Sequence, residues 1–420
     1  MPKLFILQKI KTMKKLLLIC GICLVTLFAD AQESKEAADF NAYYIKTDSS
    51  MHAAYALKDY PKSISLANEW FDRYDKLSPA FKQNNPGYLP GMYYNLACYT
   101  SMNGEKNKAI TCFEKAYKTG FSNYTLAKTD GDLNSLRDDE QFKAVLNQLR
   151  EKGDYNYVLK KAGPYNKEKA DLPVFTYQAA SAPELVNFKT KFNLDSVSGN
   201  GDEISKIKNL LYWVHDAVRH DGNSNNPPSK NAIDLIAVCK KDDRGLNCRM
   251  MATILKDAYQ AEGFKARLVT CMPKDTADFD CHVINVVWSK NVNKWIWMDP
   301  TFGAYMRDDK GNYLSIEEVR ERLINDSPLV LNDDANWNHK NKETQETYLN
   351  YISKNLYWIR CAAKSEWDLE TQKKGKQAIQ YVNLYPGKFT TINSTNKFGA
   401  NKTEYATNNP EYFWQKPDVE

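Results

Sequence analysis

The most constraining feature of the sequence is an amphipathic helix pattern that leads into three strand-like apolar runs. After residues 245–249 (G-L-N-C-R), apolar side chains recur at helical spacing, and a glycine follows where the helix should end. These residues are Met251, Ile254, Leu255, Ala258 and Gly263. The strand-like runs cover residues 265–271, 281–288 and 294–299. A helix followed by neighbouring strands predicts an α+β fold.

Cys248 falls at the first turn of this predicted helix. The unsatisfied amides and the dipole of a helix N-terminus favour the thiolate, which is the reactive form of cysteine. Considered alone, a cysteine is more often a disulfide partner or a small buried hydrophobe. Cys248 therefore becomes a candidate nucleophile only if a base lies beside it.

The second and third apolar runs predict a β-hairpin with residues 289–292 as its loop. Counting outward in that register places His282 directly opposite Asp299. Opposed residues on one face of a sheet have Cβ atoms about 5 Å apart. The carboxylate would hold the imidazole in one tautomer and stabilise its protonated form. With the cysteine facing that ring, the sequence predicts a catalytic triad of Cys248, His282 and Asp299.

Three motifs resemble the catalytic motifs of the transglutaminase-like superfamily. They are G-L-N-C-R at 245–249, C-H-V-I-N at 281–285 and K-W-I-W-M-D-P-T at 294–301. The resemblance covers roughly residues 205–305 and implies a papain-like fold. That superfamily contains protein cross-linking enzymes, cysteine proteases, peptide-cleaving amidases and inactive members. Its histidine motif is usually closer to H-A-W-N, so this chain keeps the base but changes the residues that follow it.

The resemblance implies an amide-bond or peptide-bond hydrolase that acts through a Cys248 thioester on a peptide or protein substrate. Hydrolysis ranks above cross-linking because water is always available and no calcium loop or amine-acceptor site is recognisable. Two alternatives stay open. One is transglutaminase-type acyl transfer to an amine, and the other is a catalytically inactive module that binds peptides or proteins.

An acyl-thioester route also needs hydrogen-bond donors for an oxyanion. The backbone amide of Cys248 is the natural first donor. Trp213, Asn247 and His220 are the candidates for the second donor or for contact with the substrate. His215 and His220 also compete with His282 as bases, although the segment at His220 equally fits a simple helix exit.

The N-terminus has the features of a secretory signal peptide over residues 1–31. Several lysines precede a thirteen-residue apolar run from Leu16 to Phe28, and Ala29-Asp30-Ala31 follows as a cleavage signal. The run is too short to span a bilayer comfortably, and we expect no membrane span elsewhere. The isoleucines that precede Cys20 and Cys23 argue against a lipid anchor. Cleavage after Ala31 predicts a periplasmic or secreted protein.

Charge and cysteine content narrow the choice of partners. The chain has 57 basic and 52 acidic residues, a net charge of +5, and the leader, with five lysines and one aspartate, carries +4 of it. A nearly neutral remainder without a basic block argues against nucleic acid as a partner. No C-x-x-C pair follows the leader, so we expect no metal and no cofactor. A disulfide between Cys271 and Cys281 is left open.

Residues 40–160 predict helices throughout. Six positions between Tyr93 and Phe121 have spacings that resemble a tetratricopeptide repeat: Tyr93, Leu96, Ala97, Ala109, Phe113 and Ala116. A weaker copy around Ser63 lies 46 residues before Ala109, whereas regular repeats recur at about 34. The region is predicted to be a TPR-like domain, either a surface for a protein partner or a helical spacer. We favour the spacer because so few repeats make little groove.

These patterns divide the chain into four parts. They are a signal peptide at 1–31, a TPR-like helical domain at 40–160, a transglutaminase-like catalytic domain at 173–335 and a C-terminal extension of unknown role at 336–420. Within the third part, residues 315–318 (S-I-E-E) form a capping box that should open a helix through Leu323.

Overall fold

The computed structural model describes residues 23–166, 171–278, 280–391, 396–397 and 402–418. Contacts between residues divide the chain into two compact units, Met1–Gly153 and Asp154–Glu420. The predicted signal peptide falls largely on residues 1–22, which lie outside the described residues, so it stays a prediction. No helix in the described part of the chain is both long and apolar enough to cross a membrane.

The regular elements described in the first unit are helices. They are α1 (Cys23–Ala56), α2 (Tyr60–Asp75), α3 (Pro79–Asn84), α4 (Tyr88–Met102), α5 (Lys106–Lys118), α6 (Tyr124–Thr129), a 3-10 helix (Gly131–Leu136) and α7 (Glu140–Gly153). Ala97 on α4 packs with Ala109, Phe113 and Ala116 on α5, and all four side chains are buried. The small residues let the two helices approach closely, as their spacing predicts. The helical character of this region is confirmed, while its assignment as a tetratricopeptide array stays a prediction.

The second unit mixes helices and strands. Its helices are α8 (Tyr155–Lys161), α9 (Pro183–Phe192), α10 (Leu194–Ser198), α11 (Glu203–Ala217), α12 (Ala232–Asp242), α13 (Cys248–Ala261), α14 (Ile316–Ile324), α15 (Gln345–Asn355) and α16 (Pro410–Phe413). Its strands are β1 (Thr176–Tyr177), β2 (Ala266–Met272), β3 (His282–Ser289), β4 (Lys294–Met298), β5 (Met306–Arg307), β6 (Val330–Leu331), β7 (Asn336–Trp337), β8 (Asn341–Lys342), β9 (Trp358–Ala362), β10 (Lys364–Ser365), β11 (Ile379–Leu384), β12 (Asn396–Lys397) and β13 (Lys402–Thr407). The predicted α+β class is confirmed.

A seven-stranded sheet forms the centre of this unit, in the order β12-β13-β11-β9-β2-β3-β4. The β11–β13 pair is parallel and the other pairs are antiparallel. Side chains from alternate positions enter two buried clusters, one on each face. One face packs against α9, α11, α12 and α13, and the other against α8, α14, α15 and α16. Because both faces are covered, the central strands β2, β3 and β4 are buried at nearly every position, and their many apolar residues made the three runs visible in the sequence.

The local predictions within this core agree with the structure. The three strand-like runs correspond to β2, β3 and β4, and the helix pattern corresponds to α13. The capping box is present, since the Ser315 hydroxyl accepts from the Glu318 amide at 3.1 Å and the Glu318 carboxylate accepts from the Ser315 amide at 2.8 Å. Helix α14 ends one residue beyond the predicted Leu323.

Residues beyond 336 belong to the same sheet. They supply β9, β11 and β13, and β9 pairs directly with β2 in the middle of the sheet. The segment to which the sequence assigned no role therefore supplies the partner strand on which the core strand β2 depends.

Candidate active site

Cys248 is the first residue of α13. The preceding Asn247 has extended backbone angles, φ −75° and ψ 169°, and its side-chain oxygen accepts from the Met250 amide at 3.2 Å. This N-cap ends the loop and fixes the start of the helix. The thiol therefore lies where the helix amides have no carbonyl acceptors of their own, as the sequence predicts.

His282 and Asp299 form a buried hydrogen-bonded pair. The imidazole Nε2 lies 2.7 Å from Asp299 Oδ2, and the two residues are 2% and 0% exposed. The same Oδ2 accepts from the Tyr348 hydroxyl at 2.9 Å, and Oδ1 accepts from the Thr301 amide at 3.0 Å. Three donors thus hold the carboxylate in place. With Nε2 facing Asp299, Nδ1 is the imidazole nitrogen that is left to face Cys248.

The predicted register of the hairpin that carries this pair is wrong by two residues. Ser289 pairs with Lys294, so the four-residue loop is residues 290–293, and continuing the ladder one residue past its last pair, Asn285 with Met298, sets Asp299 opposite Ile284. The loop keeps its predicted length but starts one residue later, and its last residue, Asn293, has a left-handed φ of 51°, a conformation that asparagine tolerates well. A shift of two residues keeps every side chain on its own face. His282 and Asp299 therefore still meet, but diagonally.

Two histidines act on the Cys248 thiol, which itself lies 4.0 Å from the Cys281 carbonyl oxygen. Burial alone raises the pKa of this thiol. Hydrogen bonds with His220 and His282, together with the positive charge of His282, outweigh burial and lower the pKa to about 6. For His282 the directions are reversed. Burial lowers the pKa of the imidazole, but the Asp299 carboxylate and the cysteine outweigh burial and raise the pKa to about 10. Opposite shifts of this kind favour a thiolate–imidazolium pair at neutral pH.

His220 is brought to the cysteine by its backbone. Residues 219–221 run parallel to Leu246, with the Asp221 amide donating to Leu246 O at 2.7 Å and the Leu246 amide donating to Arg219 O at 3.0 Å. Gly245 makes this close approach possible, because a Cβ there would lie 2.6 Å from Asp221 Cβ. The glycine of the G-L-N-C-R motif thus has a steric role next to the thiol.

The β7–β8 hairpin holds His220 from the other side. The Trp337 indole N–H donates to His220 Nδ1 at 3.1 Å. The Asn338 side chain accepts from the His220 amide at 2.6 Å and donates to the His220 carbonyl at 2.9 Å. The sequence placed His220 among the candidates but missed Trp337 and Asn338. No local signal marks them, because these contacts join positions 117 and 118 residues apart.

The other two candidates have different surroundings. Asn247 uses its oxygen as the helix cap and its amide nitrogen to donate to Asn226 Oδ1 at 2.7 Å. The Trp213 ring packs against Phe188 and Phe192, with centroids 6.2 and 5.7 Å away. The structure therefore brings Cys248, His282, Asp299 and His220 together, and gives Asn247 a capping role and Trp213 a packing role.

The residue after the cysteine anchors the start of α13. Arg249 pairs with the Glu370 carboxylate at 2.6 Å and donates to the Thr270 hydroxyl at 2.7 Å. Glu370 also accepts from the Tyr381 hydroxyl at 2.9 Å. This network ties the helix start to β2 and to β11. The seven cysteines from Cys98 to Cys361, including Cys271 and Cys281, carry free thiols.

One group of potential metal ligands occurs among the described residues, in the first unit. It consists of Cys98, Asp130 and Asp132. The tyrosine hydroxyls of Tyr94 and Tyr55 already donate to the two carboxylates, at 2.7 and 2.5 Å. These donors satisfy the carboxylate oxygens without an ion, so the group gives no support for a metal site.

The part of the chain that holds Cys248, His282 and Asp299 matches a known protein family. Residues 190–300 match the family described as the transglutaminase-like superfamily. A solved structure of a candidate cysteine protease from Cytophaga hutchinsonii is 21% identical, with a TM-score of 0.23 over 28% of this chain and 37% of that one. The chain thus spans well under half the length of that relative. Among curated proteins, none matches significantly.

Proposed function

We propose that the protein is an exported cysteine hydrolase that cleaves an amide or peptide bond through a Cys248 thioester. The observation that carries this proposal is the buried 2.7 Å contact between His282 and Asp299 beside a cysteine at a helix start. Cys248 is the nucleophile, His282 the acid and base, and Asp299 the residue that orients the imidazole. The transglutaminase-like domain at 190–300 supports this class of chemistry.

Acylation begins with the thiolate. Cys248 Sγ attacks the substrate carbonyl carbon, and the carbonyl oxygen takes the displaced electron pair as an oxyanion. As the tetrahedral intermediate collapses, the C–N bond breaks and the leaving amine takes the proton from His282 Nδ1. The products of this half-reaction are a free amine, a thioester and a neutral imidazole.

Deacylation regenerates the site. Neutral His282 removes a proton from water, the resulting hydroxide attacks the thioester carbon, and the C–S bond breaks. The products are a carboxylic acid, the thiolate and the imidazolium, so protons and electrons balance over the cycle. The Asp299 carboxylate stabilises the imidazolium each time it forms.

Acyl transfer differs from hydrolysis only in the nucleophile of the second half-reaction. The test is a peptide library incubated with the full chain after leader removal, with and without a primary amine, and analysed by mass spectrometry. New carboxyl termini that are absent with a Cys248→Ala variant support hydrolysis. Adducts of the added amine would assign acyl transfer instead. No product of either kind, with Cys248 held in a disulfide, would assign the inactive binding module.

Export is a separate part of the proposal. It rests on the lysine-rich start, the apolar run and the Ala29-Asp30-Ala31 signal in residues 1–31. Expression in a bacterium followed by N-terminal sequencing of the periplasmic or secreted fraction tests it. A mature chain that begins at Gln32 supports export, and an uncleaved chain retained in the cytoplasm contradicts it.

A further inference from the structure

The two histidines at Cys248 differ in the partner of the nitrogen that faces away from the thiol. His282 turns its Nε2 to a carboxylate, an acceptor that favours a protonated ring. His220 turns its Nδ1 to the Trp337 indole, at 3.1 Å. An indole N–H can only donate. His220 Nδ1 must therefore accept, and cannot carry a proton while this bond is made.

This contact fixes the tautomer of His220. A neutral imidazole has one proton, and with Nδ1 acting as an acceptor that proton lies on Nε2. Nε2 is the ring nitrogen that remains to face Cys248, because the bridge between His220 and Leu246 holds His220 beside the start of α13. To take the cysteine proton, His220 would need a bare Nε2 and hence a proton on Nδ1, where Trp337 already donates. His220 is thereby excluded as the base, and it presents a fixed N–H donor to the reaction centre.

From this geometry we infer that the His220 Nε2–H is the side-chain donor to the oxyanion, with Trp337 as its positioning residue. The inference rests on the proposed thioester route and deepens it. In the free enzyme the N–H donates to the thiolate. During attack the sulfur becomes a bonded thioether and its negative charge moves to the oxygen on the adjacent carbon, so the same donor turns to that oxygen. The Cys248 backbone amide supplies the second hydrogen bond.

Hydrogen bonds from the β7–β8 hairpin hold both the backbone and the ring of His220 in a fixed position. The Asn338 side chain accepts from the backbone amide of His220 at 2.6 Å and donates to its carbonyl at 2.9 Å. Asn338 and His339 have φ of 54° and 55°, and two successive left-handed residues make the tight turn of a hairpin. That turn presents Trp337 and Asn338 to His220 together. A ring clamped at its backbone and at one nitrogen is pre-organised, which an oxyanion donor requires.

Two small reagents separate this role from activation of the thiol. Iodoacetamide alkylates Cys248 by direct displacement without an oxyanion. p-Nitrophenyl acetate acylates it through a tetrahedral oxyanion. Both rates are measured on the full chain after leader removal, at a pH where each variant is fully thiolate, as verified by ultraviolet absorbance. Loss of an oxyanion donor should therefore lower the ratio of the acylation rate to the alkylation rate.

We expect His220→Ala to lower the ratio by about 10²-fold, the loss seen when one oxyanion donor is removed. His220→Gln, which supplies an amide N–H but no base, should recover most of it. Trp337→Phe should lower the ratio by about tenfold, because His220 is no longer confined to one tautomer. The control is Lys342→Ala on the same hairpin. Lys342 is exposed and lies outside the turn that presents Trp337 and Asn338, so the ratio should stay unchanged.

An unchanged ratio in His220→Ala, or equal losses in both rates, would overturn the inference while leaving the triad intact. Failure of His220→Gln to recover the ratio would overturn it as well. If the proposed function itself is wrong, the measured rates differ from those in either of these cases. In that case wild-type Cys248 reacts with both reagents no faster than an ordinary cysteine, and residue 220 has no influence.

Discussion

His282 and Asp299 are joined across a diagonal of the β3–β4 ladder. The last pair of the ladder is Asn285 with Met298, so in this register Asp299 comes opposite Ile284, two positions from His282. A 2.7 Å hydrogen bond between the His282 and Asp299 side chains spans the gap. Diagonal neighbours in a sheet have Cα atoms about 7–8 Å apart, within reach of an imidazole. Tyr348 donates to the same carboxylate oxygen from α15. The orientation of the imidazole thus depends on two strands and one helix.

Asp299→Asn should damage both stability and reactivity. The native carboxylate accepts three hydrogen bonds, from His282, Tyr348 and the Thr301 amide. An amide has one oxygen, so in either orientation its NH₂ group faces a donor. We expect unfolding free energy to fall by about 1–3 kcal/mol, measured by urea unfolding, and acylation to fall by up to about 10⁴-fold.

Tyr348→Phe is the matched control for that substitution. It removes one donor to Asp299 and the acceptor of the buried Trp297 indole N–H, and it leaves the His282 contact in place. It should cost about 1–3 kcal/mol of stability but no more than about tenfold in acylation rate. Equal rate losses in the two variants would contradict the orienting role of Asp299.

Asn247→Ala should affect the thiol as well as the helix. Loss of the N-cap of α13 costs about 1 kcal/mol, and it frees the residue before Cys248. Ser315→Ala removes the cap of α14 at a similar cost, away from the thiol. Thermal unfolding should show similar destabilisation in both, whereas the rate of Cys248 alkylation should fall only in Asn247→Ala. A drop in both variants would mean that alkylation follows global stability.

Gly245→Ala should move His220 away from the cysteine. A Cβ at this position would lie 2.6 Å from Asp221 Cβ and 3.0 Å from Arg219 O, so the parallel segment must shift. Overpacking of this kind costs about 1–3 kcal/mol. Gly91→Ala on α4 is the control, because open space surrounds that position. Thermal unfolding and alkylation of both variants test this, and normal alkylation in Gly245→Ala would contradict the steric role.

A chain of residues 154–335 should not fold. It lacks β9, β11 and β13, and β2 would lose its partner in the middle of the sheet. Circular dichroism should show no cooperative thermal transition. A chain of residues 154–420 retains the whole sheet and should show one. Cooperative unfolding of the 154–335 chain would contradict the place of the C-terminal strands in the core.

Local patterns in the sequence predicted much of the catalytic core. Strand runs, the α13 pattern and the S-I-E-E capping box depend on neighbouring residues, and each is found where predicted. The face shared by His282 and Asp299 was also predictable, because it depends only on even spacing along strands. The exact pairing was not, since it depends on how Asn293 turns the loop.

The long-range part of the site could not be predicted in the same way. Trp337 and Asn338 reach His220 through the fold of the whole unit, and Tyr348 reaches Asp299 from a helix 49 residues later. Nothing in the spacing of those residues reports such contacts. For the same reason the sequence could not show that residues beyond 336 complete the sheet.

The pH dependence of Cys248 alkylation tests the central claim most directly. The pKa of Cys248 is lowered to about 6, so the thiolate is the main form above pH 6. The pKa of His282 is raised to about 10, so the imidazolium is the main form below pH 10. Burial raises the pKa of Cys98, Cys112, Cys239, Cys281 and Cys361, so these thiols stay protonated at neutral pH.

Iodoacetamide labelling of the non-reduced mature chain, followed by peptide mass spectrometry, gives the rate at each cysteine as a function of pH. The account predicts that labelling at Cys248 rises with a midpoint near pH 6. In His282→Ala the midpoint should rise from that value, because the His282 hydrogen bond and positive charge are lost while burial still raises the pKa. A wild-type midpoint at 9 or higher, or a midpoint that ignores His282, would contradict the triad.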